Sequence, residues 1–251
     1  MARTALVTGG ARGIGAETCR VLARDGLQVA VADINLRGAQ EVTTYLPGRS
    51  HAAFAVDVTD ETSVQTLFDQ VEATLGLIAV LVTAAGGPFV RKGEHLRLVD
   101  TTLDNWVRTE ALNGRGTFLC VREFLRRRER TRVPDGRIIT IASLAALRVN
   151  PSTGVAYGAA KSAVVNITRH AASEGALLGI TANAIAPGLI DTPAVRENST
   201  SEQIEAARRG MPLGDIGQPA DIAEMAAYLA SPKARFITGA TLDVNGGVRM
   251  A

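Results

Sequence analysis

Seven short apolar runs punctuate the chain: Ala5–Val7, Val29–Ala32, Ala52–Val56, Ile78–Val82, Ile138–Ile141, Ile180–Ile185 and Thr241–Val244, bounded by Gly, Asp, Asn or Pro. Runs this short and mainly apolar, bounded in this way, predict buried strands. Between them, residues 13–25, 60–75, 102–127 and 155–178 carry apolar positions at helical spacing. Strand and helix therefore alternate along the chain, which predicts an α/β fold, a doubly wound parallel sheet of about seven strands with helices on both faces. No linker, repeat or low-complexity tract divides residues 1–251, so one domain is expected. The stretch 191–213 breaks the pattern. It follows Pro187-Gly188 and carries Pro193, Asn198-Ser199-Thr200 and Pro212 before a helix start at Gln218-Pro219-Ala220-Asp221. An irregular, mobile flap over a site is expected there, with a plain surface connection as the alternative.

Composition removes several function classes. With 46% hydrophobic and 21% charged residues among 251, the chain is neither disordered nor collagenous. Basic and acidic residues nearly balance, 27 against 25, so no overall field attracts nucleic acid or an anionic membrane. Cys19 and Cys120 are isolated and His51, His95 and His170 are scattered, which predicts neither a disulfide framework nor a metal centre. A reducing, cytoplasmic setting is expected. No window reaches the ~18 apolar residues of a membrane span, and glycines interrupt the opening MARTALVTGGARGIG, which reads as part of the fold rather than as a signal peptide.

Chemistry enters first at Thr8-Gly9-Gly10-Ala11-Arg12-Gly13-Ile14-Gly15, spaced TGxxxGxG after the first predicted strand and opening a helix. Glycines here permit a tight turn and let the backbone approach a pyrophosphate lying on the positive end of the helix dipole. Asp33 ends the second apolar run. A carboxylate there accepts hydrogen bonds from the adenosine ribose hydroxyls and repels a 2′-phosphate; the plainer alternative is an Asp that only ends a strand. Arg12 points the other way, since a guanidinium in this loop can pair with a 2′-phosphate. A carboxylate facing a phosphate costs more than an exposed Arg contributes, so NAD is expected over NADP.

The second constellation is Tyr157-Gly158-Ala159-Ala160-Lys161, which puts a phenol and an ammonium on one face of a predicted helix. Free tyrosine titrates near ~10, so useful proton exchange at neutrality requires about 4 kcal/mol of preferential phenolate stabilisation. A neighbouring ammonium and a bound nicotinamide's positive charge would supply it. Only three lysines occur, Lys92, Lys161 and Lys233, so this one is less readily incidental, although YxxxK alone is more often a surface pair. Ser143 follows the run Ile138–Ile141, at the end of a strand where ligands collect in open parallel sheets. Its hydroxyl would hold a substrate oxygen, or merely end the strand.

TGGARGIG, Asp57-Val58, Asn113 with Gly116, Ser143, Tyr157-xxx-Lys161, Asn183-Ala184-Ile185-Ala186-Pro187-Gly188 and the closing Thr238–Gly247 stand in one order along nearly the whole chain. In this it resembles the short-chain dehydrogenase/reductase family, with its Rossmann-like domain. The resemblance implies Tyr157 as general acid/base, Ser143 as the group positioning the carbonyl or alcohol oxygen, Lys161 as the group that lowers the Tyr157 pKa and holds the nicotinamide ribose, and Asn113 as the anchor of a proton-relay water. It implies that Gly9, Arg12, Gly13, Ile14, Gly15, Asp33, Asp57, Val58, Ala85, Gly86, Pro187, Gly188, Ile190 and Thr192, with Tyr157 and Lys161, bind the cofactor. Ser143, Leu144, Ala145, Pro151, Tyr157 and Leu189 would meet substrate. One departure stands out: Thr83-Ala84-Ala85-Gly86 replaces the usual Asn-Asn-Ala-Gly, removing a side-chain amide that braces the sheet, with altered stability expected rather than lost activity.

These readings converge on a metal-free oxidoreductase that moves a hydride between NAD(H) and a small to medium, mainly apolar secondary alcohol or ketone; Arg148 is the one charged exception in the candidate pocket segments and could hold a carboxylate. The first alternative is an NADPH-dependent 3-oxoacyl-[acyl-carrier-protein] reductase, whose acidic carrier would dock on Arg126–Arg132. A solvated helix end explains those arginines more simply, and Leu177-Leu178 stands where such reductases carry a basic residue. A solvated loop likewise accounts for Arg91, Lys92, His95 and Arg97. Epimerases and dehydratases with a Tyr-Lys pair are disfavoured by the loop spacing, and a non-catalytic redox sensor would be expected to have lost Tyr157 or Lys161. Trp106 and Phe118 read as core or interface, and a homotetramer is expected, with a dimer next, through 102–127, 155–178 and the segment Leu242–Val248.

Overall fold

The computed structural model describes residues 3–48, 50–90, 96–150 and 152–250. The seven apolar runs become strands β1 (Thr4–Thr8), β2 (Gln28–Asp33), β3 (Ala52–Ala55), β4 (Ile78–Thr83), β5 (Gly136–Ile141), β6 (Ile180–Pro187) and β7 (Thr241–Val244). They form one parallel sheet in the order β3-β2-β1-β4-β5-β6-β7. Successive residues of a strand point to opposite faces, so both faces need cover. Ala5, Val7, Val29, Val31, Val80 and Val82 pack against α1 (Gly13–Arg24), α2 (Leu36–Thr44) and α9 (Pro219–Ala230). Leu6, Ala30, Leu81, Ile138 and Ala182 pack on the other side against α3 (Glu61–Leu75), α5 (Gly116–Arg130) and α6 (Gly154–Ala176). Burial on both faces explains why the runs lack alternation.

Strand order reverses at β1, where Thr8 pairs with Ala32 on one side and Thr83 on the other. The loops leaving β1 and β4 diverge from there and open a crevice beyond the strand ends, the usual ligand position in such sheets. Thr83 carries the consequence of the departure noted in the sequence. Its hydroxyl and that of Thr8 are buried and have no hydrogen-bond partner among the described residues.

Three expectations are corrected. The single helix over 102–127 is three joined pieces, α4 (Leu103–Glu110), a π-turn (Ala111–Arg115) and α5. The π-turn contains Asn113 and leads into Gly116, where a Cβ would come within 2.8 Å of Val58 Cγ2. A π-turn inside a helix re-aims a side chain and is frequent at functional sites. The irregular flap over 191–213 contains two short capped helices, α7 (Pro193–Asn198) and α8 (Ser201–Arg209). Thr192 Oγ1 accepts from Val195 N at 3.3 Å, and Thr200 and Gln203 cap α8 reciprocally. The Pro and Asn-Ser-Thr signals that read as breakers are helix starts and the junction between them.

The third correction concerns the basic end of α5. Arg128 is 1% exposed, and its guanidinium donates to Ile78 O at 2.7 Å and to Glu72. Arg127 spans Glu123, Asp69 and Glu72, and Arg122 reaches Glu61. Arg122, Arg127 and Arg128 thus tie α5 to α3 and to the start of β4, while Arg126, Arg130 and Arg132 stay exposed, as a solvated helix end would have them. Of the second basic run, Arg97 pairs with Asp100, while Arg91, Lys92 and His95 lie outside the described residues.

Candidate active site

The crevice holds two adjoining cavities of about 310 and 600 Å³ that share Ile14, Ala84, Gly86, Thr192 and Ala194. The smaller lies over the glycine loop. A Cβ on Gly9 would fall 2.5 Å from Ala85 N and one on Gly15 2.0 Å from Gly9 O, so loop, helix start and the segment after β4 pack backbone on backbone. No side chain caps the start of α1, which leaves its positive end open to an anion. In this cavity Asp33 accepts from Ala11 N at 3.0 Å and Asn35 N at 2.9 Å, which fixes its carboxylate beside the loop. Asp57 is held by Thr59, and Val58 closes the wall. Glycine-loop backbone with the fixed carboxylates of Asp33 and Asp57 in the same lining suits a nucleotide cofactor.

Ser143, Tyr157 and Lys161 converge on the larger cavity. Ser143 leaves the end of β5 in extended conformation and its Oγ accepts from Ala145 N at 3.1 Å. Tyr157 and Lys161 lie one turn apart on α6, whose axis brings both beneath the end of β5. Lys161 is buried, donates to Ile141 O at 2.7 Å and sits 5.7 Å from the centroid of the Tyr157 ring. Burial lowers its pKa to about 8. Burial also pushes Tyr157 up to about 12, against the opposing hydrogen bond with Ser143. The downward shift expected from Lys161 is thus absent here. The ammonium is directed at a backbone carbonyl, and burial dominates.

The chemistry of this pair of cavities agrees with what the chain is similar to. The family model for enoyl-(acyl carrier protein) reductase matches residues 9–249. The chain belongs to the short-chain dehydrogenase/reductase family. Cis-4-hydroxycyclohexanecarboxylate dehydrogenase of Sinomonas cyclohexanicum is 38% identical over 98% of this chain and 96% of its own. A 3-oxoacyl-[acyl-carrier-protein] reductase of Haemophilus influenzae is 35% identical over 99% of each. A short-chain type dehydrogenase/reductase from Mycobacterium marinum superposes with a TM-score of 0.91 at 30% identity, covering 99% of this chain and 96% of that one. The family works with nicotinamide cofactors.

Most of the residues singled out from the sequence meet at these two cavities. Gly9, Arg12, Gly13, Ile14, Gly15, Asp33, Asp57, Val58, Ala85, Gly86 and Thr192 line the smaller one, and Pro187, Gly188, Leu189, Ile190 and Leu144 line the larger. Ala145 is a correction: it is buried in a short turn and lines neither cavity, its amide anchoring Ser143 instead. Pro151 lies outside the described residues. Asn113 stands behind the wall, fully buried. Its amide bonds Gly87 N and O at 3.0 Å and Thr109 O at 2.8 Å. A Cβ on Gly86 would strike Asn113 Oδ1 at 2.6 Å and Lys161 Nζ at 3.1 Å, so this glycine separates the two side chains. Ala194, Val195 and Asn198 of α7, Met211 beyond α8 and Val248 near the end of the chain also line the larger cavity and were missed, because no motif marks them. Only the exposed Ile34, an apolar residue directly after Asp33, carried a readable signal. Among the described residues no helix is long and apolar enough to cross a membrane, and no cluster of three metal-ligating side chains occurs.

Proposed function

We propose that this family member is an NAD-dependent dehydrogenase/ketoreductase acting on a small to medium, mainly apolar secondary alcohol or ketone. The observation carrying this reading is the convergence of Ser143, Tyr157 and Lys161 on a cavity adjoining the glycine-loop cavity that Asp33 lines. Gly9, Gly13, Ile14 and Gly15 would hold the pyrophosphate, Asp33 the adenosine ribose, Asp57 and Val58 the adenine, and Lys161, Pro187, Gly188, Ile190 and Thr192 the nicotinamide half. Bound NAD supplies the hydride acceptor and a positive charge. Ser143 donates a hydrogen bond to the substrate oxygen while Tyr157, as phenolate, takes its hydroxyl proton; in the reverse direction Tyr157 returns it. Lys161 together with the positive charge of the bound cofactor would stabilise that phenolate, since Lys161 alone, turned to Ile141 O, leaves the Tyr157 pKa raised, and Asn113 holds the backbone at Gly87, where a relay water would sit. The segment 191–213 acts as the substrate cover, since α7 and the residues after α8 wall the larger cavity.

Among the described lining residues Arg148 and Lys161 are the only charged ones, and Lys161 is committed to Ile141 O. Arg148 at the rim donates only to Val248 O, at 3.0 Å, and bears no ion pair among the described residues. With a relative acting on a hydroxycyclohexane carboxylate, cyclic secondary alcohols with and without a carboxylate are the first substrates to test. Oxidation of such a panel with NAD and NADP in parallel tests the reading: turnover with NAD preferred is expected, and no turnover of any secondary alcohol or ketone with either cofactor would overturn it. The carrier-reductase alternative has the Haemophilus relative in its favour; of the arginines that would dock an acidic carrier, Arg127 and Arg128 are engaged by Asp69, Glu72 and Glu123, whereas Arg126, Arg130 and Arg132 are exposed. We further propose a homotetramer, with a dimer as the next choice. Leu103, Trp106 and Val107 on α4 and Phe118 on α5 are exposed apolar residues, and edge strand β7 is only half-buried. Light scattering that gave the monomer mass at micromolar concentration would refute assembly.

A further inference from the structure

Arg12 is the only cation among the described residues that line the nucleotide cleft, whose charged lining is otherwise Asp33 and Asp57. It is therefore the side chain a 2′-phosphate would have to recruit. In the structure its guanidinium is held on one side by a carboxylate: Nη1 donates to both oxygens of Glu197, each at 3.0 Å, in an ion pair that is exposed on both sides. Glu197 belongs to α7, and the glycine loop touches the start of that helix, a Cβ on Gly13 falling 3.4 Å from Thr192 Cγ2. Arg12 is also one residue from Ala11, whose amide Asp33 accepts, so guanidinium and carboxylate flank the same end of the cleft.

We propose that Glu197 is a cofactor-specificity residue that acts through Arg12. Asp33 opposes a 2′-phosphate directly; Glu197 opposes it by engaging the one cleft cation that could neutralise it. A 2′-phosphate of NADP(H) has to share or win Arg12 from the Glu197 carboxylate, whereas NAD(H) leaves the pair intact. The proposal rests on the reading of this cleft as the nucleotide site. It also explains how a loop arginine that reads as a phosphate ligand coexists with Asp33 in one cleft. Arg37, near the start of α2, is a second cation in the vicinity but does not line the cleft.

The test is nucleotide binding, read as the enhancement of reduced-nicotinamide fluorescence, with no turnover involved. Dissociation constants for NADH and NADPH are measured for the full chain, for Glu197→Gln and for Arg12→Ala/Glu197→Gln, each also in an Asp33→Ala background to bring NADPH into range. Glu197→Gln should tighten NADPH about two- to fivefold, the range set by one exposed ion pair, and change NADH less than about twofold. Removing Arg12 should abolish that gain. An unchanged NADPH constant in Glu197→Gln, or a gain that persists without Arg12, overturns the proposal while leaving the cleft assignment standing. Failure of the unmodified chain to bind either nucleotide overturns the cleft assignment and the proposal with it.

Discussion

Replacing Lys161 by methionine should make the cofactor-free protein more stable at neutral pH while removing its activity. The ammonium is buried and ordered for chemistry, and the fold bears the cost. Burial lowers its pKa from 10.5 to about 8, which corresponds to about 3 kcal/mol of penalty on the charged form. Methionine removes that penalty, but it leaves Ile141 O without the donor now at 2.7 Å, at a cost of roughly 1–3 kcal/mol. The net gain is on the order of 1 kcal/mol, a rise in Tm of about 2–4 °C for a chain of this size. The sign with pH is fixed by linkage. Because the folded-state pKa lies below the unfolded one, the unfolded chain binds more protons between pH 8 and 10.5, so this group's penalty is full below pH 8 and fades across that window. Tyr157, raised to about 12, and the buried thiols of Cys19 and Cys120, also raised, act in the opposite direction, their stabilisation being lost as pH climbs past their unfolded values. They are common to both proteins and cancel in the difference. Urea unfolding followed by circular dichroism at fixed protein concentration, from pH 7 to pH 10, should show the methionine variant ahead at pH 7 and losing its lead as pH rises. A variant less stable than the parent at pH 7, with a gap that does not vary with pH, would refute the reasoning.

Other perturbations follow from the same structure. Arg128→Met should destabilise by about 3 kcal/mol, the low end for a broken buried pair because Arg127 still reaches Glu72, whereas Arg126→Ser should stay within about 0.5 kcal/mol; equal effects in chemical denaturation would contradict the burial assigned to Arg128. Thr83→Val removes a buried hydroxyl that has no partner and should raise stability by up to about 1 kcal/mol, so a clear loss in Tm would mean that the hydroxyl is satisfied. Asp33→Ala should shift the ratio of kcat/KM values towards NADP, and an unchanged ratio would place the ribose elsewhere.

The fold was legible because the central strands, β1, β2 and β4 above all, are near-continuous apolar runs, as a sheet covered on both faces requires. Most of the site was legible for a related reason. Its parts sit at strand ends and helix starts, where glycines, Asp33 and Ser143 mark the chain locally. What stayed hidden depends on tertiary packing. Nothing local distinguishes Arg128, enclosed by Glu72 and Ile78 O, from Arg126 in solvent two positions away. The caps of α7 and α8 use the residue types that also make loops, so only the backbone separates the two. Ala145 stands two residues after the marked Ser143, yet it is buried, and it is its amide that meets the serine hydroxyl.

The central claim is that Tyr157, set between Ser143 and Lys161, moves the substrate proton. Its most direct test is Tyr157→Phe, which removes one oxygen and keeps the ring. With the best alcohol from the panel and saturating NAD, kcat should fall at least ~10²-fold while the dissociation constant for NADH stays close to that of the parent. Turnover within a few-fold of the parent, with cofactor binding intact, would contradict the account and assign the proton to another group.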